Sequence, residues 1–342
     1  MRRPFSVTLC GYYGFGNVGD ELLASSIIRL LQEAGIEKSN IAVLSNDPAN
    51  TARSLGTASA DRWKPKEVFS ILRQSRTLLL GGGGLFQDTT SVRSCLYYWG
   101  VISLARLAGT VPWMFGQSVG PFRTAAGKFL ARDAIGKCRA RAVRDEGSRR
   151  ILSGWGYDLE ITPDPVLYLG EDSRKNRTST IGDYILANVR PWQGDLPHIL
   201  LSELDKLKRE QACPLRFIAL SGDDQEFLEE NLSRYPSLED VPRTRISSFS
   251  EARGLWEGAK AAVGMRLHFT VLSTIFKVPC IAIPYDPKVR YFAEDHGLPI
   301  WEGMGSIRIE ESMAAPTGLL EQERERIREV FISSLDKSMG GC

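Results

Sequence analysis

A chain of 342 residues is long enough for two domains of ordinary size, each burying its own core. Lys and Arg number 43 against 41 Asp and Glu, so no global field recruits nucleic acid or an anionic membrane, and any anion binding must come from local clusters. The six cysteines (Cys10, Cys95, Cys138, Cys213, Cys280, Cys342) are widely spaced with no Cys-x-x-Cys pair, which suits free thiols in a reducing compartment and predicts a cytoplasmic protein.

The first strand is predicted over Phe5–Cys10. The apolar stretch behind Arg2 and Arg3 breaks at Gly11, too soon for a signal peptide, and no later run approaches the roughly 18 apolar residues of a membrane span. Membrane contact is expected to be peripheral at most. Gly11-Tyr-Tyr-Gly14-Phe-Gly16-Asn17-Val-Gly19-Asp20 then opens a helix over 20–32. Glycines there let backbone N–H groups approach a ligand, and the helix N-terminus favours an anion, so Gly14, Gly16, Asn17 and Asp20 are candidate binding residues. For Asp20, helix capping is the competing reading. The spacing departs from the dinucleotide fingerprint, and Asp47 lies too late, within a Ser-Asn-Asp-Pro turn, to serve as its acidic partner; a nicotinamide cofactor is not expected.

Strands over 41–45 and 77–80 follow, with a helix over 67–74 between them. The second strand runs into Gly81-Gly-Gly-Gly84-Leu-Phe-Gln87-Asp88-Thr89-Thr90. Four successive glycines are costly in backbone entropy, so this pattern predicts a loop over which something passes very closely. Gly82, Gly83, Gly84, Gln87, Asp88, Thr90 and Arg93 would face a sugar or phosphate. A helix over 92–108 and a strand over 111–116 lead to a third glycine-bearing turn, which adds Gln117 to the same edge. A helix over 125–137, a strand over 141–144 and a short run near Ile161 complete the first half. Arg144-Asp145 at a strand's carboxyl end reads either as a surface salt bridge or as part of a site. This alternation implies a parallel, doubly wound sheet.

Residues 171–182 are polar and nearly free of large apolar side chains, as a linker should be. The expected division is therefore 1–170, a linker over 171–182, and a second domain over 183–315. In the second domain, strands are predicted over 184–189, 215–220, 245–249, from Ala261 to Gly264, and over 280–284. Helices run to about Ala212, from Asp223 and from Ser250. The segment 316–342 carries a charged amphipathic helix over 316–338, expected to pack back on the first domain. The fold class is α/β, two Rossmann-like doubly wound domains facing a cleft.

Gly264-Met265-Arg266-Leu267-His268 sits where a short buried strand gives way to a helix marked by Leu267, Val271, Leu272, Ile275 and Phe276. The helix dipole there disfavours positive charge, favouring a neutral, proton-accepting imidazole and leaving Arg266 wanting an anion. Lys288 follows twenty residues after His268, on what reads as a turn. One helix, one strand and a turn fill that interval, so both emerge on one sheet edge. His198 and His296 lack such company and are expected in or beside surface helices. No Cys, His and carboxylate cluster has ligand spacing, so no metal is predicted.

Together GYYGFGNVGDELL, GGGGLFQDTTS, the Val-Arg-Asp-Glu segment, GMRLHFTVLS and PYDPKV resemble the polysaccharide pyruvyl transferase family, particularly its bacterial cell-surface anchoring branch. The resemblance runs in order from about residue 9 to about 297. It implies a glycosyltransferase B-like fold, phosphoenolpyruvate as co-substrate with no further cofactor, and transfer of its pyruvyl unit to two hydroxyls of a sugar as a cyclic ketal. In that branch the sugar belongs to a lipid-linked cell-wall precursor, which implies a protein at the inner face of the plasma membrane. The family's essential basic residues map onto Arg144, His268 and Lys288, with Arg266 and Gly264 in the same donor motif. Ser118 stands where many members have glycine, and Phe269-Thr270 replaces smaller residues.

The chemistry suits these residues on its own terms. A donor with a carboxylate and a phosphate needs fixed cations and backbone donors, and ketal formation needs a group titrating near neutrality, for which His268 is the natural choice. The rival reading is a nucleotide-sugar glycosyltransferase of the same fold, in which Asp223, Asp224 or Glu226 would grip a ribose. A glycan-binding module without catalysis would need fewer of these features.

Overall fold

The computed structural model describes residues 3–89, 91–170, 182–210, 214–309 and 319–340. The chain divides into two compact units: Met1–Phe15, Asp20–Tyr168 and Glu323–Cys342 in the first, and Gly16–Gly19 with Leu169–Gln322 in the second. The segment proposed as a linker lies, save Gly182, outside the described residues.

In the first unit the elements run β1 (Phe5–Cys10), α1 (Val18–Glu33), β2 (Ile41–Ser45), α2 (Pro48–Leu55), β3 (Ala58–Asp61), α3 (Pro65–Arg73), β4 (Ser75–Phe86), α4 (Val92–Leu107), β5 (Val111–Val119), α5 (Ala125–Gly136), β6 (Arg141–Val143), α6 (Glu146–Gly154) and β7 (Glu160–Ile161). All strands are parallel, in the order β3-β2-β1-β4-β5-β6-β7. The order reverses between β1 and β4, the switch point at which open α/β sheets bind ligands outside their strand carboxyl ends. Val7, Leu9, Leu79 and Leu80 are fully buried, as central strands covered by helices on both faces must be.

The second unit continues with β8 (Tyr184–Asn188), α7 (Leu196–Glu210), β9 (Leu215–Ala219), α8 (Gly222–Asn231), β10 (Arg243–Arg245), α9 (Phe249–Trp256), β11 (Ala259–Gly264), α10 (Leu267–Ile275), β12 (Cys280–Ala282) and α11 (Pro287–Asp295). Its parallel sheet has the order β10-β9-β8-β11-β12, with the switch point between β8 and β11. Ser221, Ser248 and Asp286 cap α8, α9 and α11, each accepting a backbone N–H of the first turn.

The last helix, α12 (Leu319–Met339), groups with the first unit from Glu323 onward. Phe331 is fully buried there, its ring 4.9 Å from Phe115 and 5.6 Å from Trp113. Lys337 Nζ lies 3.0 Å from Glu160 Oε1.

Several elements differ from the sequence-based expectation. β4 does not stop at Leu80 but carries the glycine run through to Phe86, pairing Gly81 with Phe115 and Gly83 with Gln117. The strand expected over 245–249 is Arg243–Arg245, and Phe249 instead opens α9, because Ser248 supplies an N-cap. Lys288 lies in the first turn of α11 rather than on a free turn, since Asp286 and Pro287 start a helix.

Candidate functional site

In the first unit the glycine run serves the protein's own packing. A Cβ on Gly81 would lie 2.6 Å from Ile27 Cδ1 and from the Tyr13 hydroxyl, and that hydroxyl donates to Gly81 O at 2.5 Å. Gly82 and Gly83 take φ of 67° and 79°, and their Cβ positions face Leu23 of α1 and Asp20 Oδ1. The close neighbour inferred from four glycines is therefore α1; among the described residues, only Gly84 of the run has nothing within 4 Å of its Cβ position.

The polar groups placed after that run are engaged internally as well. Gln87 Oε1 accepts from Thr89 N at 2.8 Å and from the Thr89 hydroxyl. Asp88, 5% exposed, accepts from Arg123 N at 2.5 Å and from Thr124 N at 2.8 Å, fastening the turn that leads into α5. Gln117 is fully buried and its Nε2 donates to Leu80 O and Gly82 O, tying β5 to β4. Asp88 and the Gln117 amide nitrogen thus hold the edge together, while the buried Gln117 Oε1 has no hydrogen-bond partner among the described residues. Arg93 lies in the first turn of α4, its N–H bonded to Ser91 Oγ, and Thr90 lies outside the described residues.

Gly14 is held where no side chain fits: its Cβ would lie 2.1 Å from Ser45 Oγ, and its N–H donates to Glu21 Oε1 at 2.7 Å. Burial raises the Glu21 carboxyl to about 7; the Gly14 N–H opposes this, while Asp20 and Asp47 add to it. Nothing in the sequence pattern singled out Glu21, since a glutamate in the first turn of a helix is commonplace.

Arg144 leaves the end of β6 with a side chain only 4% exposed. Its Nη1 meets Asp164 Oδ2 at 2.6 Å and its Nε donates to Ser118 Oγ at 2.9 Å. Asp145, the adjacent partner considered from sequence, instead caps α6 through Ser148. The buried pair of Arg144 with Asp164 replaces the surface salt bridge. Ser118 and Asp164 together orient the guanidinium.

In the second unit β11 delivers Arg266 to the N-cap position of α10 and His268 to its first turn. Arg266 already has its anion. Its Nε and Nη2 form a fork on Asp224, with contacts of 2.6–2.9 Å, and Nη2 also donates to Ser221 Oγ at 2.5 Å. Asp224 is fully buried and accepts further from Leu220 N and Asn188 Nδ2. Arg266 was expected to await a substrate anion; the chain supplies a carboxylate instead. The same geometry removes Asp224 from any ribose-gripping role, while Asp223 and Glu226 remain exposed.

Gly264 likewise has a packing reason. Its Cβ would lie 2.2 Å from Cδ1 of Phe269, a fully buried ring that packs on Trp256 at 5.2 Å. The larger residue at position 269 thus fills the space the glycine leaves. His268 is half-buried, and its Nδ1 lies where a Cβ on Gly19 would be. Asn17 Oδ1 accepts from Gly19 N at 3.3 Å, and Gly16 O accepts from Arg245 Nη2 at 3.3 Å, so Gly16, Asn17 and Gly19 belong to the surroundings of the histidine.

Lys288 keeps a partly exposed side chain, its Nζ 3.6 Å from Asp286 Oδ2. Arg190, two residues beyond β8, was not singled out from sequence; its guanidinium packs against the rings of Trp192 and Tyr285, which also meet each other. Its signal was Arg-Pro-Trp directly after a strand. His198 belongs to α7 and faces the Tyr235 hydroxyl at 3.3 Å. His296 is not at the surface: it is 5% exposed, stacked on Phe292. Among the described residues no group of three or more His, Cys, Asp or Glu could hold a metal ion, and no helix is long and apolar enough to cross a membrane.

The sequence model of the family described as polysaccharide pyruvyl transferase matches residues 17–287. No curated protein matches the chain. Among solved structures, UDP-N-acetylglucosamine 2-epimerase from Rickettsia bellii is similar with a TM-score of 0.59 at 13% identity, over 97% of each chain. The UDP-GlcNAc 2-epimerase of Methanocaldococcus jannaschii, solved with UDP-GlcNAc and UDP, gives 0.58 at 11% over 96% of this chain and 93% of that one. HepE from Anabaena, solved with UDP-glucose, gives 0.54 at 9% over 97% and 95%. At such identities the likeness concerns the fold, which is glycosyltransferase B-like.

Proposed function

We propose, on the premise that this chain belongs to the polysaccharide pyruvyl transferase family, that it moves the pyruvyl group of phosphoenolpyruvate onto two hydroxyls of a cell-wall sugar. The product is a cyclic ketal, and inorganic phosphate leaves. The observation that carries this reading is His268 in the first turn of α10, next to an arginine whose charge Asp224 already balances. Imidazole is the side chain that exchanges protons near neutral pH, so His268 is suited to accept a proton at the start of the reaction.

The donor's methylene carbon takes a proton and becomes the methyl group of the ketal. One sugar hydroxyl attacks the adjacent carbon, its proton matching the one taken up by the methylene carbon; phosphate departs from that carbon, and a second hydroxyl closes the ring, its proton leaving with the phosphate. His268 carries protons between hydroxyl and donor. Arg144 and Lys288 are the cations assigned to the donor's carboxylate and phosphate, while Arg266 holds the end of β11 against α8 and presents only its remaining edge. Gly84, Asn17 and Gly16 are the glycine-segment residues left to contact the acceptor. A lipid-linked acceptor, as in the cell-surface anchoring branch, would bring the protein to the inner face of the plasma membrane from the cytoplasm.

The nucleotide-sugar reading draws on the shared fold alone, and Asp224, the buried one of its candidate carboxylates, is taken by Arg266. Calorimetric titration with phosphoenolpyruvate and with a panel of nucleotide sugars separates the two. Only phosphoenolpyruvate should bind, and Arg144→Ala should abolish that binding. His268→Ala should bind the donor yet lose about 10²–10⁴-fold in phosphate release with acceptor present. Full turnover by folded His268→Ala, or binding of a nucleotide sugar in place of the donor, refutes the proposal.

A further inference from the structure

The switch point of the second sheet lies between β8 and β11, and there Asn188, Gly264 and Ala282 are level across β8, β11 and β12. Arg190 and Arg266 each lie two residues beyond that line, on neighbouring strands. Arg190 Nη1 donates to the Tyr285 hydroxyl at 2.8 Å, and Tyr285 lies three residues beyond β12. Because β11 separates β8 from β12 by two strand spacings, roughly 10 Å in all, the Arg190 side chain must reach across the mouth of β11, where the chain turns into Arg266 and His268.

The charge balance of the three cations on this edge differs. Arg266 has Asp224, and Lys288 has Asp286. Arg190 has only neutral neighbours: the Trp192 ring at 5.0 Å, the Tyr285 ring at 4.6 Å, the Tyr285 hydroxyl, and Pro191 O at 3.2 Å from Nε. Among the described residues no carboxylate comes within ion-pair distance of it. Trp192 and Tyr285 also meet edge to face at 4.7 Å, so the guanidinium is held by a rigid aromatic bracket. Aromatic faces orient a guanidinium and strip part of its water while leaving its charge uncompensated, which readies it to form a fork with a carboxylate or phosphate.

We infer that Arg190 is an anion-binding residue of the second unit, one that receives the carboxylate or the phosphate of phosphoenolpyruvate while Tyr285 and Trp192 hold it in position. This deepens the function proposed above and rests on it. Sequence pattern assigns the donor to Arg144, Arg266 and Lys288; Arg190 adds a cation that no carboxylate among the described residues balances.

The test is calorimetric titration of the full chain with phosphoenolpyruvate, inorganic phosphate and pyruvate separately, on the wild type, Arg190→Gln and Arg190→Lys, with melting temperatures alongside. Loss of one charge-assisted contact should weaken phosphoenolpyruvate binding to Arg190→Gln by about 10- to 100-fold. Arg190→Lys, which keeps the charge but not the planar fork, should fall between. Whichever of phosphate and pyruvate loses affinity identifies the half of the donor that Arg190 holds. A wild type that binds the donor and an Arg190→Gln that binds it equally well overturn this inference and leave the proposed function standing. A lowered melting temperature with unchanged affinity assigns Arg190 a packing role only, with the same consequence. If Arg190→Gln fails to fold, Arg190→Lys decides, and unchanged affinity there overturns the inference. A wild type that binds phosphate through Arg190 but not phosphoenolpyruvate would retain the anion site and sink the donor. A wild type that binds none of the three sinks both.

Discussion

Replacing Asp224 with alanine should unfold the second unit at far lower denaturant than the wild type. Asp224 is fully buried and its partner Arg266 has a side chain only 11% exposed. Removing one member of a buried ion pair costs about 3–5 kcal/mol, because the other charge stays buried without compensation. Leu220 N and Asn188 Nδ2 lose an acceptor as well, and a buried donor left unmade costs about 1–3 kcal/mol. These terms overlap, since relaxation around the new space serves all three donors. A total of about 4 kcal/mol is roughly a thousandfold in an equilibrium constant. With a urea dependence of about 2 kcal/mol per M, the midpoint should fall by roughly 2 M. Tryptophan fluorescence and far-ultraviolet circular dichroism during urea unfolding read that shift. The double variant Asp224→Leu with Arg266→Met removes both charges and should recover most of the loss. A single variant whose midpoint stays within about 0.3 M of wild type would refute the claim that the pair is buried and mutually required.

Two further outcomes concern the first unit. Phe331→Ala should cost about 3–5 kcal/mol by opening a void against Trp113 and Phe115; unfolding at an unchanged urea midpoint would contradict the packing of α12. Burial raises the Glu21 carboxyl from 4.5 to about 7, so between those values the folded state binds the proton more tightly than the unfolded one. Stability from this group is therefore full below about pH 4.5 and lost as pH rises through about 7. Comparing urea midpoints at about pH 5 and about pH 8, Glu21→Gln should lose roughly 1–2 kcal/mol less than wild type over that interval. Equal losses would show that Glu21 does not titrate there.

The alternation of strands and helices made both sheets legible, because parallel central strands announce themselves as short, wholly apolar runs such as Leu78–Leu80 and Ala261–Val263. Of the elements that escaped, β3 and α2 bury only part of each segment and carry ordinary polar residues, and α11 begins within what read as a turn. For the site, residue types and places along the chain were readable: His268 and Arg266 do fall at the start of α10. Partnerships were not. Asp164 lies 20 positions from Arg144 and Asp224 lies 42 from Arg266, and no local pattern connects residues that only the strand order brings together. The glycine run misled for the same reason, since the body pressing on Gly81–Gly83 is α1, more than 50 residues earlier. Arg190 was passed over because Arg-Pro-Trp after a strand is a faint signal until Tyr285, 95 positions on, is seen beside it.

The return of α12 to the first unit sets an order for synthesis. Phe115 and Trp113 emerge from the ribosome long before Phe331, with Leu169–Gln322 of the second unit made in between. At about 5–20 residues per second, the roughly 150 residues from Tyr168 to Glu323 take on the order of 10–30 s. For that interval Trp113 and Phe115 lack the Phe331 ring that packs on them. A ribosome stalled in the second unit would therefore present a sticky, chaperone-seeking intermediate, and the last helix acts as the latch that ends its exposure.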